Sequence, residues 1–286
     1  MHEITQLIVL GILLGGMYGL LAAGSALITG VMNVLNFAQG DFVTIPALCV
    51  WAIWSATKIN PFLILIPVAL GTLLVGAGVQ RVLIERVVGR PFAMGLLLTF
   101  GLSLLMESNG GFAFGFSYRE IPVLTSSFTV AGITLPEAQL VTFGGAVAVY
   151  LVIVVLLHRT QFGRALRACT QNPEAAVACG INARSVRTWA FGIGTMLAAL
   201  AGGFLIQYFP INPISGFQIV LVGLIAQMIG GVTWFEGAFL GGLVLGEIDL
   251  IGGYYTTAEW AQIMVYGSLL VLFLFRGTVG ARDQLR

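Results

Sequence analysis

Residues 4–28 read ITQLIVLGILLGGMYGLLAAGSALI, an unbroken run without one charged side chain. A helix needs about 20 mostly apolar residues to cross the hydrocarbon core of a bilayer, and this run is long enough. Only Met1-His2-Glu3 precede it, with neither the basic leader nor the short apolar core of a signal peptide, so it reads as a retained transmembrane helix. Gly11, Gly15 and Gly19 fall four apart on one face, as do Gly237 with Gly241 and Gly242 with Gly246. Small residues at that spacing let helix backbones approach closely in lipid.

The same ruler, carried outward, gives further segments at 40–57, 61–83, 92–115, 138–157, 187–208, 216–233, 237–252 and 258–275. The seventh and eighth are short and meet through Gly230-Gly231-Val232-Thr233-Trp234-Phe235-Glu236-Gly237, so the count is eight or nine. Residues 29–39 fit either a simple loop or an irregular or re-entrant piece. The chain is 58% hydrophobic and 9% charged, with a mean hydropathy of +0.99. Soluble domains carry about 25% charged residues, and a soluble chain this poor in charge could not cover its surface. No polar stretch is long enough for a second domain. Residues 1–286 therefore read as one all-α, polytopic membrane domain.

A net charge of +1 argues against nucleic acid as a partner. The basic residues are informative by position. Of 13 lysines and arginines, all but two fall in three places: Arg81, Arg86 and Arg90; Arg159, Arg164, Arg167, Arg184 and Arg187; and Arg276, Arg282 and Arg286. Positive loops stay cytoplasmic, which puts the N-terminus outside, the C-terminus inside, and Lys58 and Arg119 on the outer side. The main external loop is then 116–137, where Thr125-Ser126-Ser127 and Ala131-Gly132-Ile133-Thr134-Leu135-Pro136 suggest a small hairpin. The main cytoplasmic loop is 159–186.

Several chemistries lack their residues. His2 and His158 are the only histidines, and Cys49, Cys169 and Cys179 are too scattered for a metal-ligand pattern. There is no Gly-x-Ser-x-Gly elbow. A phosphate-binding loop of the Walker type requires a lysine after glycines, and the single lysine lies in Ala56-Thr57-Lys58-Ile59. The expectation is a chain that is not an enzyme and has no cofactor of its own. If ATP drives it, a partner binds the ATP.

Within the cytoplasmic loop, Asn172 can cap a helix, Pro173 suits its first position, Glu174 favours the positive end of its dipole, and Gly180 can end it in a left-handed turn. A helix of about two turns follows at 173–179, with small alanines on its surface. So short a helix is unstable alone and needs a surface to pack on, either a partner or this chain's own helix ends. Elsewhere, ionisable groups within spans cost ~2.5–3.5 kcal/mol at the centre; Glu107, Asp41, Glu247 and Asp249 are such groups. Asp249, Glu236 and Glu259 read as interfacial or paired. Asp41 with Asn33, Asn36 and Gln39 forms a dense polar group that suits a water-lined pathway or a structural hydrogen-bond network equally. Gln227, alone between Ala226 and Met228, is a weaker pathway candidate. A faint echo links Gly30-Val31 and Gly40-Asp41-Phe42 with Gly231-Val232 and Gly237-Ala238-Phe239.

Three motifs, in order along the chain, resemble the branched-chain amino acid ABC transporter permease family of the LivH type. They are Gly30-Val31-Met32-Asn33-Val34-Leu35-Asn36-Phe37-Ala38-Gln39-Gly40-Asp41-Phe42; Gly163-Arg164-Ala165-Leu166-Arg167-Ala168 followed by Gln171-Asn172-Pro173-Glu174-Ala175-Ala176 and Gly180-Ile181; and Gly230-Gly231 followed by Gly237-Ala238-Phe239-Leu240-Gly241-Gly242 and Glu247. Gln39 and Asp41 depart from the family's histidine and glutamate, Val232–Glu236 from its small residue and proline, and Arg276-Gly277-Thr278 from its Arg-Pro pattern. The resemblance implies a type II ABC importer fold in a bacterial inner membrane. It implies a second permease, a different LivM-type chain, and two ATP-binding subunits that carry ATP and Mg. It also implies a periplasmic solute-binding protein. It makes Arg164, Gln171, Asn172, Glu174, Ala175, Ala176, Gly180 and Ile181 the coupling residues. The implied solute is a branched-chain amino acid or a relative; urea, amides and small organic acids are handled in the wider family. The rivals are an ion-coupled transporter using Glu107 or Asp41, and a channel or scaffold.

Overall fold

The computed structural model describes residues 2–124, 126–130 and 133–283. Thr125, Ala131, Gly132 and Arg286, and the side chains of Glu259, Arg276 and Arg282, lie outside the described residues. The helices are α1 (His2–Met32), α2 (Asp41–Thr57), α3 (Pro61–Val82), α4 (Phe92–Phe114), α5 (Glu137–Arg159), α6 (Gln161–Gln171), α7 (Pro173–Ala178), α8 (Ala183–Leu205), α9 (Gly216–Gly230), α10 (Phe235–Tyr255) and α11 (Ala258–Asp283). Among the described residues, seven helices meet the length and composition needed to cross a membrane: α1, α2 with its preceding turn, α3, α4, α5, α8 and α9 with its preceding turn. With α10 and the shorter apolar run Trp260–Leu272 of α11, the total falls in the expected range of eight to nine. The chain is all-α and polytopic. Its small antiparallel ribbon, β1 (Ser127–Val130) with β2 (Ile133–Pro136), is the hairpin expected in the 116–137 loop.

Hydropathy cut the segments short where charges fall, but the helices continue past them. α8 starts at Ala183, ahead of Arg184 and Arg187, because Asn182 caps it by accepting the Ser185 N–H at 3.1 Å. α1 and α8 are the centre of the bundle and bury most of their surface, while α3, α4 and α5 leave Leu63, Leu74, Leu97, Leu105 and Val152 bare. Bare aliphatic side chains on such helices are suited to lipid contact.

The two central helices each pair with a later or earlier one through glycine. Gly11, Gly15 and Gly19 of α1 meet Glu247, Leu243 and Phe239 of α10 in that order, so the pair runs antiparallel. A Cβ on Gly246 would lie 2.4 Å from the Gly15 Cα, so neither position admits a larger residue. The four-residue glycine spacings of the two segments are therefore complementary faces. In the same sense Gly203 and Gly192 of α8 meet Leu65 and Leu73 of α3. The connections repeat too. α1 leads through Asn36 and the 3-10 turn Phe37–Gln39 into α2, and α8 leads through Asn212 and the 3-10 turn Pro213–Ser215 into α9. This repeat replaces the echo seen in the sequence, which matched the α1–α2 link with the α9–α10 link. Gly230 and Gly237 instead make the close α9–α10 turn, where a Cβ on Gly230 would lie 1.8 Å from the Gly237 carbonyl oxygen.

Candidate functional site at a helix junction and a capped loop helix

The first helix break places the polar cluster. α1 ends as Asn33 turns left-handed (φ 52°) and donates its N–H to the Thr29 carbonyl at 2.8 Å. Asn is among the few residues that tolerate this conformation. The chain then doubles back, and Gln39 reaches α8, its Nε2 donating to the Gly194 carbonyl at 2.9 Å. Gly194 is 11 residues into α8, and at 1.5 Å per residue that is about 16 Å of helix. Gly24 of α1, also beside Gln39, is 8 residues before Met32, about 12 Å by the same rise. The start of α2 therefore lies well inside the helix bundle, away from the ends of α1 and α8. Residues 33–39 are thus an irregular link with a 3-10 turn, folded back against α1 and α8.

The start of α9 meets it there. A Cβ on Gly40 would lie 1.9 Å from the Gly216 carbonyl oxygen, and a Cβ on Gly216 would lie 2.9 Å from Asp41 Oδ1. Asn212 accepts the Ser215 N–H at 2.8 Å, and Ser215 Oγ accepts the Asn212 N–H at 3.2 Å, a reciprocal cap that fixes the turn into α9. Two helix N-termini, which carry unpaired N–H groups and partial positive charge, therefore converge beside Asp41. Ser103 of α4 donates to Asp41 Oδ2. Glu107 is four residues further along α4, hence on the same face. Phe37 closes the junction between Phe100 and Phe217, with ring centroids 6.3 and 6.5 Å away.

The sequence-derived candidates separate by burial. Asn36 Nδ2 donates to Gln39 Oε1 at 3.0 Å, and Asn36, Gln39 and Asp41 are all buried. Gln39 is committed at both ends of its amide. Asn36 Oδ1 and Thr44 Oγ1 are buried with no hydrogen-bond partner among the described residues. Asn33 is exposed and stands outside the cluster as the α1 cap. Gln227 is buried, but its Nε2 donates to the Val232 carbonyl at 2.6 Å and so holds the α9–α10 turn. Of the remaining acids, Asp249 pairs with Tyr18 at 2.8 Å and Glu236 lies 3.5 Å from His158.

The second region is the 159–186 loop. It contains two helices where one was expected. Thr160 caps α6 by accepting the Gly163 N–H at 3.2 Å, and Gly163, Leu166 and Cys169 form its buried face. That three-residue spacing was the available signal for α6. Arg167 turns back to donate to the Leu157 carbonyl, and Thr170 lies beside Gly30 near the end of α1. α7 follows as the residues prescribe. Asn172 Oδ1 accepts the Ala175 N–H at 3.0 Å, Pro173 takes the first position, and Gly180 (φ 83°) turns the chain. The Ile181 N–H then closes on the Ala176 carbonyl at 3.0 Å.

Here one residue departs from expectation. Ala176 is buried in the core that includes Leu166, Cys169, Ala183 and Val186, where a surface alanine was expected. The outward residues are Arg164, Gln171, Glu174, Ala175 and Val177, with Asn172 and Gly180 also exposed and Ile181 half-buried. Val177, missed in the sequence, is an apolar side chain 57% exposed on the outer face of α7. Nearby, Arg187 at the foot of α8 donates to Glu85 (Nε to Oε2, 3.1 Å), and Gln80 joins Glu85 to Thr188 with bonds of 2.6 Å each. The first turns of α8 are thereby tied to the end of α3 and the 3-10 turn Ile84–Arg86.

Among known proteins, the family described as the branched-chain amino acid transport system permease component matches residues 7–274. The high-affinity branched-chain amino acid transport system permease protein BraD of Pseudomonas aeruginosa is 28% identical, over 97% of this chain and 95% of its own length. LivH of Escherichia coli K12, named for the same system, is 27% identical over 94% and 92%. A probable branched-chain amino acid transport permease of Methanocaldococcus jannaschii is 27% identical over 91% and 85%. No solved structure matches the chain.

Proposed function

The chain belongs to the family of branched-chain amino acid transport system permease components, and from that premise we propose that it forms one wall of an importer's solute pathway and couples through α7 to an ATP-hydrolysing partner. It is a membrane-spanning permease subunit of an ABC importer, with several apolar helices and no phosphate-binding lysine of its own. The observation that carries the coupling role is the split character of α7. A six-residue helix persists only if it is held, and Asn172, Gly180 and buried Ala176 hold it from within. Glu174, Ala175 and Val177 are left bare for a second surface. That surface belongs to one of two ATP-binding subunits, which carry ATP and Mg. α6 and its contact with the end of α1 then connect the docking helix to the α2–α9 junction.

The pathway runs past the α2–α9 junction, set near the middle of the membrane, where Asn36, Asp41 and Glu107 supply polar groups. Discontinuous helices meeting at the midplane are the usual place for solute sites in transporters. The machine is completed by a second permease of the LivM type and an external solute-binding protein. The solute is a branched-chain or related amino acid, the N-terminus is outside, and the C-terminus and the 159–186 loop are cytoplasmic, in a bacterial inner membrane. The fold is of the type II importer kind. Purification of the tagged chain from native membranes tests the assembly. A nucleotide-binding subunit carrying a Walker lysine, recovered in near-stoichiometric amount, is expected. A chain that transports with no such subunit present contradicts the proposal and favours an ion-coupled carrier.

A further inference from the structure

A cavity of about 590 Å³ lies on the opposite side of α9 from Asp41, between α1, the link after α8, α10 and α11. That volume is in the range of small-molecule sites. Tyr118 and Ile211 are among its lining residues, and no residue of the 159–186 loop is. Leu10, Leu14, Ile219, Val222 and Val265 make an aliphatic wall. One carboxylate, Asp249, stands in that wall and accepts a hydrogen bond from Tyr18 at 2.8 Å. No lysine, arginine or histidine is among the lining residues. Gln139 Oε1, also at the cavity, is buried with no hydrogen-bond partner among the described residues.

The chemistry is asymmetric. An ionised carboxylate has about four acceptor sites, and Tyr18 fills one. A carboxylate inside a membrane helix bundle is costly unless paired, and the lining offers no cation to pair it. A primary ammonium group would bring both the opposite charge and three N–H donors. We propose that this cavity binds a small solute with a primary ammonium on an aliphatic body, the ammonium on Asp249 and the body along Leu14 and Val222. An aliphatic amino acid and its alkylamine share this chemistry. The amino acid's carboxylate would meet the donors of Gln218, Gln262 and Tyr266. The binding stands on the cavity alone; its place on a transport route rests on the permease reading above.

Calorimetric titration of the permease pair with its ATP-binding subunits, in lipid nanodiscs without nucleotide and without the solute-binding protein, separates the two, because a loss of binding here leaves the ATPase bound. The probes are L-leucine, 3-methylbutylamine and 4-methylpentanoate. Leucine and the amine are expected to bind, and the acid at least tenfold more weakly. Asp249→Asn should weaken leucine and the amine tenfold or more, and Tyr18→Phe about threefold. Val222→Trp, which fills the cavity, should abolish both and serves if the Asp249 variant does not insert. The inference is overturned if the acid binds as well as the amine, if Val222→Trp or a folded Asp249→Asn leaves affinity unchanged, or if no probe binds. A lipid acyl chain that occupies the cavity and is not displaced by the amine also overturns it.

Discussion

At the α2–α9 junction Gln39 has no exposed surface and Gly40 lies against the Gly216 backbone, whereas in α7 Glu174, Ala175 and Val177 are bare. Both regions begin with an asparagine before a turn, and both use small residues. Their consequences are opposite. At the junction Gln39 and Gly40 are already committed to other parts of the same chain, so changes to them act first on stability. On α7 the commitments are confined to Asn172, Ala176 and Gly180, and the outer residues are free to act on something else. Burial, and not residue type, decides which role a residue can take.

Gly40→Val is the substitution with the largest expected effect. Its Cβ would collide with backbone, not with a flexible side chain, so α9 must move. Uptake in proteoliposomes should fall more than tenfold, with a lower unfolding temperature. Normal uptake would mean that the junction is not tightly packed. Gln39→Leu comes next. It leaves the Asn36 amide and the Gly194 carbonyl without their partner, at about 1–3 kcal/mol for a buried polar group. Thermal unfolding of the purified complex should register that loss; an unchanged unfolding temperature with reduced uptake would make Gln39 a pathway lining instead. Ala176→Trp should likewise destabilise this chain itself, by about 1–3 kcal/mol of overpacking. An unfolding temperature equal to that of the parent would put Ala176 on the outer surface after all. The smallest effect is a rate difference between thiols. In inside-out vesicles, exposed Cys179 should react with an impermeant maleimide faster than buried Cys169, and neither should react in intact cells. Rapid labelling of Cys179 from outside would invert the topology.

Most of the spans were legible because an apolar run of sufficient length has few alternatives in lipid. The ends of α7 were legible as well, since Asn172, Pro173 and Gly180 each have a local conformational reason to be there. Facing was not. A six-residue helix with three alanines gives no periodicity from which to tell Ala176 from Ala175, and only burial in the shared core distinguishes them. Asn33 and Asn36 are three apart in a stretch without regular structure, so sequence could not separate a left-handed cap from a buried donor. Gln227 was read by its isolation among apolar residues, but its partner is a main-chain carbonyl five residues on, which composition does not reveal. The pairing of α1 with α10 was visible only as matching glycine spacings, whose complementarity needed the three-dimensional order.

The central claim, that α7 presents a docking face to an ATP-hydrolysing partner, is tested most directly by Ala175→Trp in the assembled complex. Ala175 is exposed, so the change should leave the chain inserted with the parent's unfolding temperature. Solute-stimulated ATP hydrolysis and the amount of ATPase retained are measured side by side. The account predicts that retained ATPase falls, or that hydrolysis continues without uptake. Normal retention with normal solute-stimulated hydrolysis and uptake would contradict it.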